Sequence, residues 1–176
     1  MAYNPLHKLN DNLAALRIAL AYEEGDRLSA DSKYALSRYS GFGGIKAILY
    51  PEGNKQSWIA GGATEADLRL YEGIMELHRL LHQHFTDDEY KNIIASLKES
   101  VLTAFYTPDI IPKTLYNVLQ EHNISPKRIY EPSAGAGIFI DEAIKTFTGI
   151  EQITAVEKDL LTGKVLKALF DTNVQQ

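Results

Sequence analysis

Apolar side chains recur at three- and four-residue steps over much of the first hundred positions. Leu6, Leu9, Leu13, Leu16 and Leu20 fall on one face of a helix predicted from Leu6 to Tyr22, with Pro5 at its first position. A shorter helix is expected to follow Ser29 or Asp31 as cap and to stop near Tyr39, where Ser40-Gly41-Phe42-Gly43-Gly44 breaks the pattern. Pro51 to Gly62 reads as a loop around Trp58. Thr64-Glu65-Ala66-Asp67 has the form of a capping box, with Leu70, Ile74, Leu77 and Leu81 on one face of the helix behind it. Thr86-Asp87-Asp88-Glu89 repeats the device ahead of Ile93, Ile94, Leu97 and Val101. Residues 1–100 are therefore expected to form a helical N-terminal region.

Beyond residue 100 the periodicity alternates between helix and strand. Thr107 can cap a helix with Pro108 at its first position and Ile111, Leu115, Val118 and Leu119 on its apolar face, ending at His122-Asn123. Arg128 to Glu131 and Gln152 to Glu157 carry strand signals, Pro132 to Gly137 a turn, and Ile138 to Phe147 and Leu160 to Leu169 helices. Strand, glycine turn, helix and strand make a βαβ unit with parallel strands, so the fold class is α/β with an incomplete sheet.

Composition narrows the function classes. With 45% hydrophobic residues the chain can bury a real core, and its net charge of -5 gives it no global field for a polyanion. The absence of cysteine removes disulfides, thiolate metal sites and the thiolate nucleophile that attack on a cytosine ring carbon requires. No apolar run approaches a membrane span and the N-terminus lacks a leader pattern, so a cytoplasmic protein without a membrane partner is expected. His78 and His82 stand four apart on one helix, but no third ligand accompanies them and no metal is assigned. Gly41 to Lys46 lacks the Gly-Lys-Ser/Thr ending of a phosphate loop and reads as a structural turn packing the helical region onto the cofactor domain, with a lid over the cofactor as the alternative.

The chemistry concentrates in Glu131-Pro132-Ser133-Ala134-Gly135-Ala136-Gly137-Ile138-Phe139, where strand passes into helix. Gly135 and Gly137 allow positive φ and let bare backbone approach a ligand. Glu157, about twenty residues on, closes the second strand, where nucleotide-type folds present a carboxylate to ribose hydroxyls. Asp141 and Glu142 in the first turn of the following helix disfavour a pyrophosphate there, which points to a nucleoside cofactor without phosphate.

Phe105-Tyr106-Thr107-Pro108, the glycine segment, and Ala155-Val156-Glu157-Lys158-Asp159 together resemble the three cofactor-side motifs of adenine amino-methyltransferases. Tyr39 to Lys46 is similar to the N-terminal stretch of long DNA methylases carried by bacterial mobile elements. The resemblance implies a Rossmann-like class I methyltransferase fold, of which residues 101–176 would be the opening βαβ unit, and S-adenosylmethionine as cofactor. It further implies that Tyr106, Thr107 and Pro108 lie beside the methionine end, that Glu131, Pro132, Ser133, Gly135 and Gly137 wrap that end, that Phe139 packs under the turn or the cofactor, and that Glu157, followed by Lys158, takes the ribose. The family binds its flipped adenine with an Asn or Asp followed by two prolines and an aromatic residue, and no two prolines are adjacent in this sequence. With only about forty residues after the glycine turn, the expectation is the cofactor-binding part of a longer enzyme, whose DNA contacts and catalytic motif lie downstream. A non-catalytic helical scaffold, or a methyltransferase of RNA or protein, are the competing readings.

Overall fold

A computed structural model describes residues 3–101, 106–170 and the backbone of 174–175. The chain divides into two compact units, residues 1–105 and 106–176. Among the described residues the first is helical and the second is a βαβ unit with a helix before it and a helix after it. No helix among them is long and apolar enough to cross a membrane.

In the first unit, α1 (Pro5–Ala21) starts on Asn4, whose side chain accepts from the Leu6 and His7 amides. Leu9, Leu13 and Leu16 are buried along the predicted face, while Leu6 stays exposed. Asn12 is buried on the same side. Its amide group satisfies both of its polar ends on the glycine-rich segment, donating to the Gly41 carbonyl at 2.7 Å and accepting from the Ser40 amide at 3.0 Å. Lys8 donates to the Gly43 carbonyl and the Gly44 amide to the Val101 carbonyl. The bonds of this segment run within the first unit, to α1 and to the residue after α6 (Asp87–Ser100).

α2 (Ala30–Ser37) is capped by Ser29, and Lys46–Leu49 forms one turn of 3₁₀ helix. The segment read as a loop contains a short helix, α3 (Lys55–Ala60), capped by Asn54. Glycines and a proline on both sides conceal it, and its stability is tertiary: Trp58 is fully buried, stacked on Tyr50 with its indole N–H donating to the Pro51 carbonyl. The helix expected from Thr64 onward is two helices, α4 (Glu65–Leu68) and α5 (Tyr71–His84). The Leu70 amide reaches back only three residues, to Asp67, and this tight turn separates them while keeping Leu70, Ile74, Leu77 and Leu81 buried. Both capping boxes form, on Thr64 with Asp67 and on Thr86 with Glu89.

In the second unit, α7 (Ile110–Glu121) begins two residues later than predicted. Asp109 takes the cap position and Thr107 does not cap it, because the Ile111 amide already closes a turn on the Pro108 carbonyl. Its buried face also differs. Pro112 and Tyr116 face inward, whereas Ile111, Leu115 and Val118 stay about half exposed at 50%, 50% and 47%. Positions 112, 116 and 119 share the same helical spacing, and Tyr116 wins because its ring meets Phe139 and Phe147 edge-on at 6.3 and 5.3 Å. Asn123, at φ 56°, ends the helix with the Ile124 amide bonded back to the Leu119 carbonyl.

β1 (Arg128–Glu131) and β2 (Gln152–Val156) pair in parallel, with Ile129 beside Ile153 and Glu131 beside Ala155. Between them runs α8 (Ile138–Thr146), and α9 (Leu160–Phe170) follows. A two-residue strand, β3 (Val174–Gln175), adds to β2 in parallel and is too short to be visible in the sequence pattern. Ile129, Ile153 and Ala155 all turn toward the helices. Ile129 packs in a cluster with Tyr116 and Ala143, and Ile153 and Ala155 pack with Ile140, Leu166 and Phe170. The alternate residue Tyr130 is 67% exposed on the other face.

Candidate functional site

The strand register brings the ends of β1 and β2 level, so the glycine turn and Glu157 leave the sheet at the same edge, the carboxyl edge where α/β sheets place their ligands. Two main-chain bonds fold the turn. The Ala134 amide donates to the Val156 carbonyl at 2.9 Å, and the Gly137 amide to the Ala134 carbonyl at 2.8 Å. Gly135 and Gly137 then adopt φ of 54° and 85°, and Gly137 opens α8 with no side-chain cap.

Glu157 clasps this turn. Its Oε2 accepts the Gly135 amide at 2.8 Å and its Oε1 accepts the Asp159 amide at 2.8 Å. An ionised carboxylate offers about four acceptor positions, so these two bonds fix its orientation and leave capacity for hydroxyl donors. Glu131 behaves similarly on a smaller scale, its Oε1 accepting from the Ser133 amide at 3.2 Å.

The two glycines answer to different neighbours. A Cβ on Gly137 would come 2.3 Å from Phe170 Cε2 and 2.8 Å from Leu166, so its bareness is required for α9 to pack. A Cβ on Gly135 would stand 3.1 Å from Cε1 of Tyr106, whose ring lies along the bend. The Tyr106 hydroxyl meets Thr162 Oγ1 at 3.3 Å. Burial is the main cause that pushes the Tyr106 pKa well above the usual tyrosine range, opposed by the hydrogen bond with Thr162 and helped by the charges of Asp159 and Glu157, so the hydroxyl keeps its proton.

Of the residues expected at the site, Tyr106, Glu131, Ser133, Gly135, Gly137 and Glu157 converge on the bend, directly or through main-chain bonds. Phe105 lies outside the described residues. Thr107 is half-buried, and Pro108, Pro132 and Lys158 are exposed around the site. Phe139 points elsewhere and packs with Tyr116 between α7 and α8. Two further residues belong to the site: Asp159, part of the third motif but given no role there, and Thr162, which was not foreseen. Asp159 Oδ1 accepts both the amide of Thr162 at 2.8 Å and its hydroxyl at 2.6 Å, and Thr162 is what the Tyr106 hydroxyl reaches. The Asp-x-x-Thr spacing at the start of α9 is an N-cap signal that could have marked them.

A groove of about 320 Å³ lies at the opposite end of β2, lined by Ile144, Phe147, Gly149, Ile150, Glu151, Gln152 and Ile153. It holds no pair of groups that could work on a bound ligand. His78 Nδ1 lies 2.8 Å from the Tyr90 hydroxyl, and His82 Nε2 lies 3.0 Å from Glu52 Oε2. Among the described residues no group of three side chains could hold a metal ion.

Compared with protein-family models, with curated proteins and with solved structures, the chain finds no match in any of the three.

Proposed function

We propose that residues 106–176 bind S-adenosylmethionine at the carboxyl edge of β1 and β2, as the cofactor-binding part of a DNA adenine-N6 methyltransferase. The observation that carries this reading is the bond from the Gly135 amide to Glu157. In a dinucleotide site the amides of such a bend face a pyrophosphate. Here that amide is already matched to a carboxylate, and Asp141 stands in the first turn of α8, so the bend offers negative charge where a phosphate would sit. A ligand with an adenosine and a cationic centre suits this arrangement.

On this reading Glu157 turns its remaining lone pairs to the ribose hydroxyls, Glu131 meets the ammonium group, and Tyr106 with Thr107 and Pro108 borders the methionine end. The cofactor supplies an electrophilic methyl on sulfonium, and the chain's own work is to bind, orient and desolvate it. Transfer to the adenine amine is carried over from the resemblance alone, since the proline-pair motif does not occur among these 176 residues.

A second reading, a non-catalytic scaffold, draws on Gly137, whose bareness packing alone explains. Calorimetry on the whole chain separates the two. Saturable binding of S-adenosylmethionine and S-adenosylhomocysteine, with none of NAD, supports the cofactor site, whereas a folded chain that binds neither sulfur nucleoside is a scaffold.

A further inference from the structure

We infer that Thr162 is a positioning residue that sets the Tyr106 ring against the Gly135 bend. The inference rests on the cofactor reading for its consequence, though not for its geometry. Thr162 is 4% exposed and sits in the first turn of α9. Its hydroxyl has one proton, and the 2.6 Å contact to Asp159 Oδ1 claims it, because an ionised carboxylate can only accept. The lone pairs of Thr162 Oγ1 therefore face Tyr106, and the 3.3 Å contact makes the tyrosine hydroxyl the donor.

The consequence is a chain of single-direction bonds. The Tyr106 hydroxyl donates to Thr162, Thr162 donates to Asp159, and the Asp159 amide donates to Glu157, which also holds the Gly135 amide. The far end of the Tyr106 ring is tied to α9 while its edge lies along Gly135. The same few residues thus fix both the wall of the bend and the carboxylate that faces it. At 3.3 Å the tyrosine bond is long for a hydroxyl pair, which sets the expected effect at a few-fold rather than a total loss.

The test uses the whole chain with Thr162→Val, which removes the hydroxyl and keeps the shape, and Thr162→Ser, which keeps the hydroxyl, each with Tyr106 intact and with Tyr106→Phe. S-adenosylmethionine affinity is expected to fall about 2- to 10-fold in Thr162→Val and to return in Thr162→Ser. With Phe at 106, Thr162→Val should weaken binding no further, although the lost bond from the Thr162 hydroxyl to Asp159 should lower stability in both backgrounds. Equal losses of affinity in both backgrounds, or no loss in either, overturn the inference. Should the wild-type chain not bind the cofactor, the functional reading fails and the positioning is decided without ligand. A nuclear Overhauser contact between the Tyr106 ring and the Gly135 α protons should keep its intensity in Thr162→Ser and weaken in Thr162→Val, and an unchanged intensity in Thr162→Val rejects the role.

Discussion

The amide of Gly135 and the carboxylate of Glu157, twenty-two positions apart, meet at 2.8 Å. Through that bond the turn after the first strand is shaped by the residue after the second. Glu157→Ala removes the acceptor from a part-buried amide and, on the proposed cofactor reading, the carboxylate from the ribose. Loss of one charged hydrogen bond, worth roughly 1.5 to 3 kcal/mol, should weaken S-adenosylmethionine binding about 10- to 150-fold by calorimetry. An unchanged affinity in a folded variant would remove Glu157 from the site.

Gly137 tests close packing separately from backbone conformation. Gly137→Ala meets both a positive φ and the Phe170 ring, whereas Gly149→Ala, at φ 89°, meets nothing within 4 Å. The left-handed conformation alone costs about 1 to 2 kcal/mol. Urea unfolding should show that loss for Gly149→Ala and a further loss of about 1 to 3 kcal/mol from overpacking for Gly137→Ala. Equal losses would mean that α9 yields freely.

The choice of buried face on α7 predicts unequal costs for neighbouring substitutions. Tyr116→Ala empties the space between Phe139 and Phe147 and should destabilise the second unit by about 3 to 5 kcal/mol. Leu115→Ala, on the half-exposed side, should cost clearly less in the same denaturation experiment. The reverse order would restore the face expected from periodicity.

The first unit should lose stability as pH falls. Burial holds the His78 pKa below its ordinary 6.5, with His82 and Lys98 acting the same way and Glu52 opposing them. The unfolded chain therefore takes up the His78 proton first, and this contribution, complete above about pH 6.5, declines as pH drops through the folded value. Glu52 is held below its ordinary 4.5 chiefly by its hydrogen bond to His82, so its contribution is present above pH 4.5 and is lost on further acidification. The two add in sign over successive windows. Denaturation followed by Trp58, the one tryptophan of the chain, should show stability rising from pH 5 to pH 7, and His78→Leu should flatten that rise. A slope unchanged in His78→Leu would assign it elsewhere.

The sequence by itself determined the helical character of the first hundred residues, both capping boxes, the positions of β1 and β2, and the positive φ of Gly135 and Gly137. These depend on interactions within a few residues: a cap bonds an amide three positions on, and a glycine's φ is set by the missing Cβ. Only the tertiary structure decided which face of α7 is buried, that Trp58 is buried on a short helix inside an apparent loop, that β3 joins the sheet, and that Phe139 packs on Tyr116 of α7. Each of those depends on what distant segments bring to the contact. Tyr116 outcompetes Leu115 because two aromatic rings await it, and Thr162 enters the site because α9 carries it to Tyr106, fifty-six positions away.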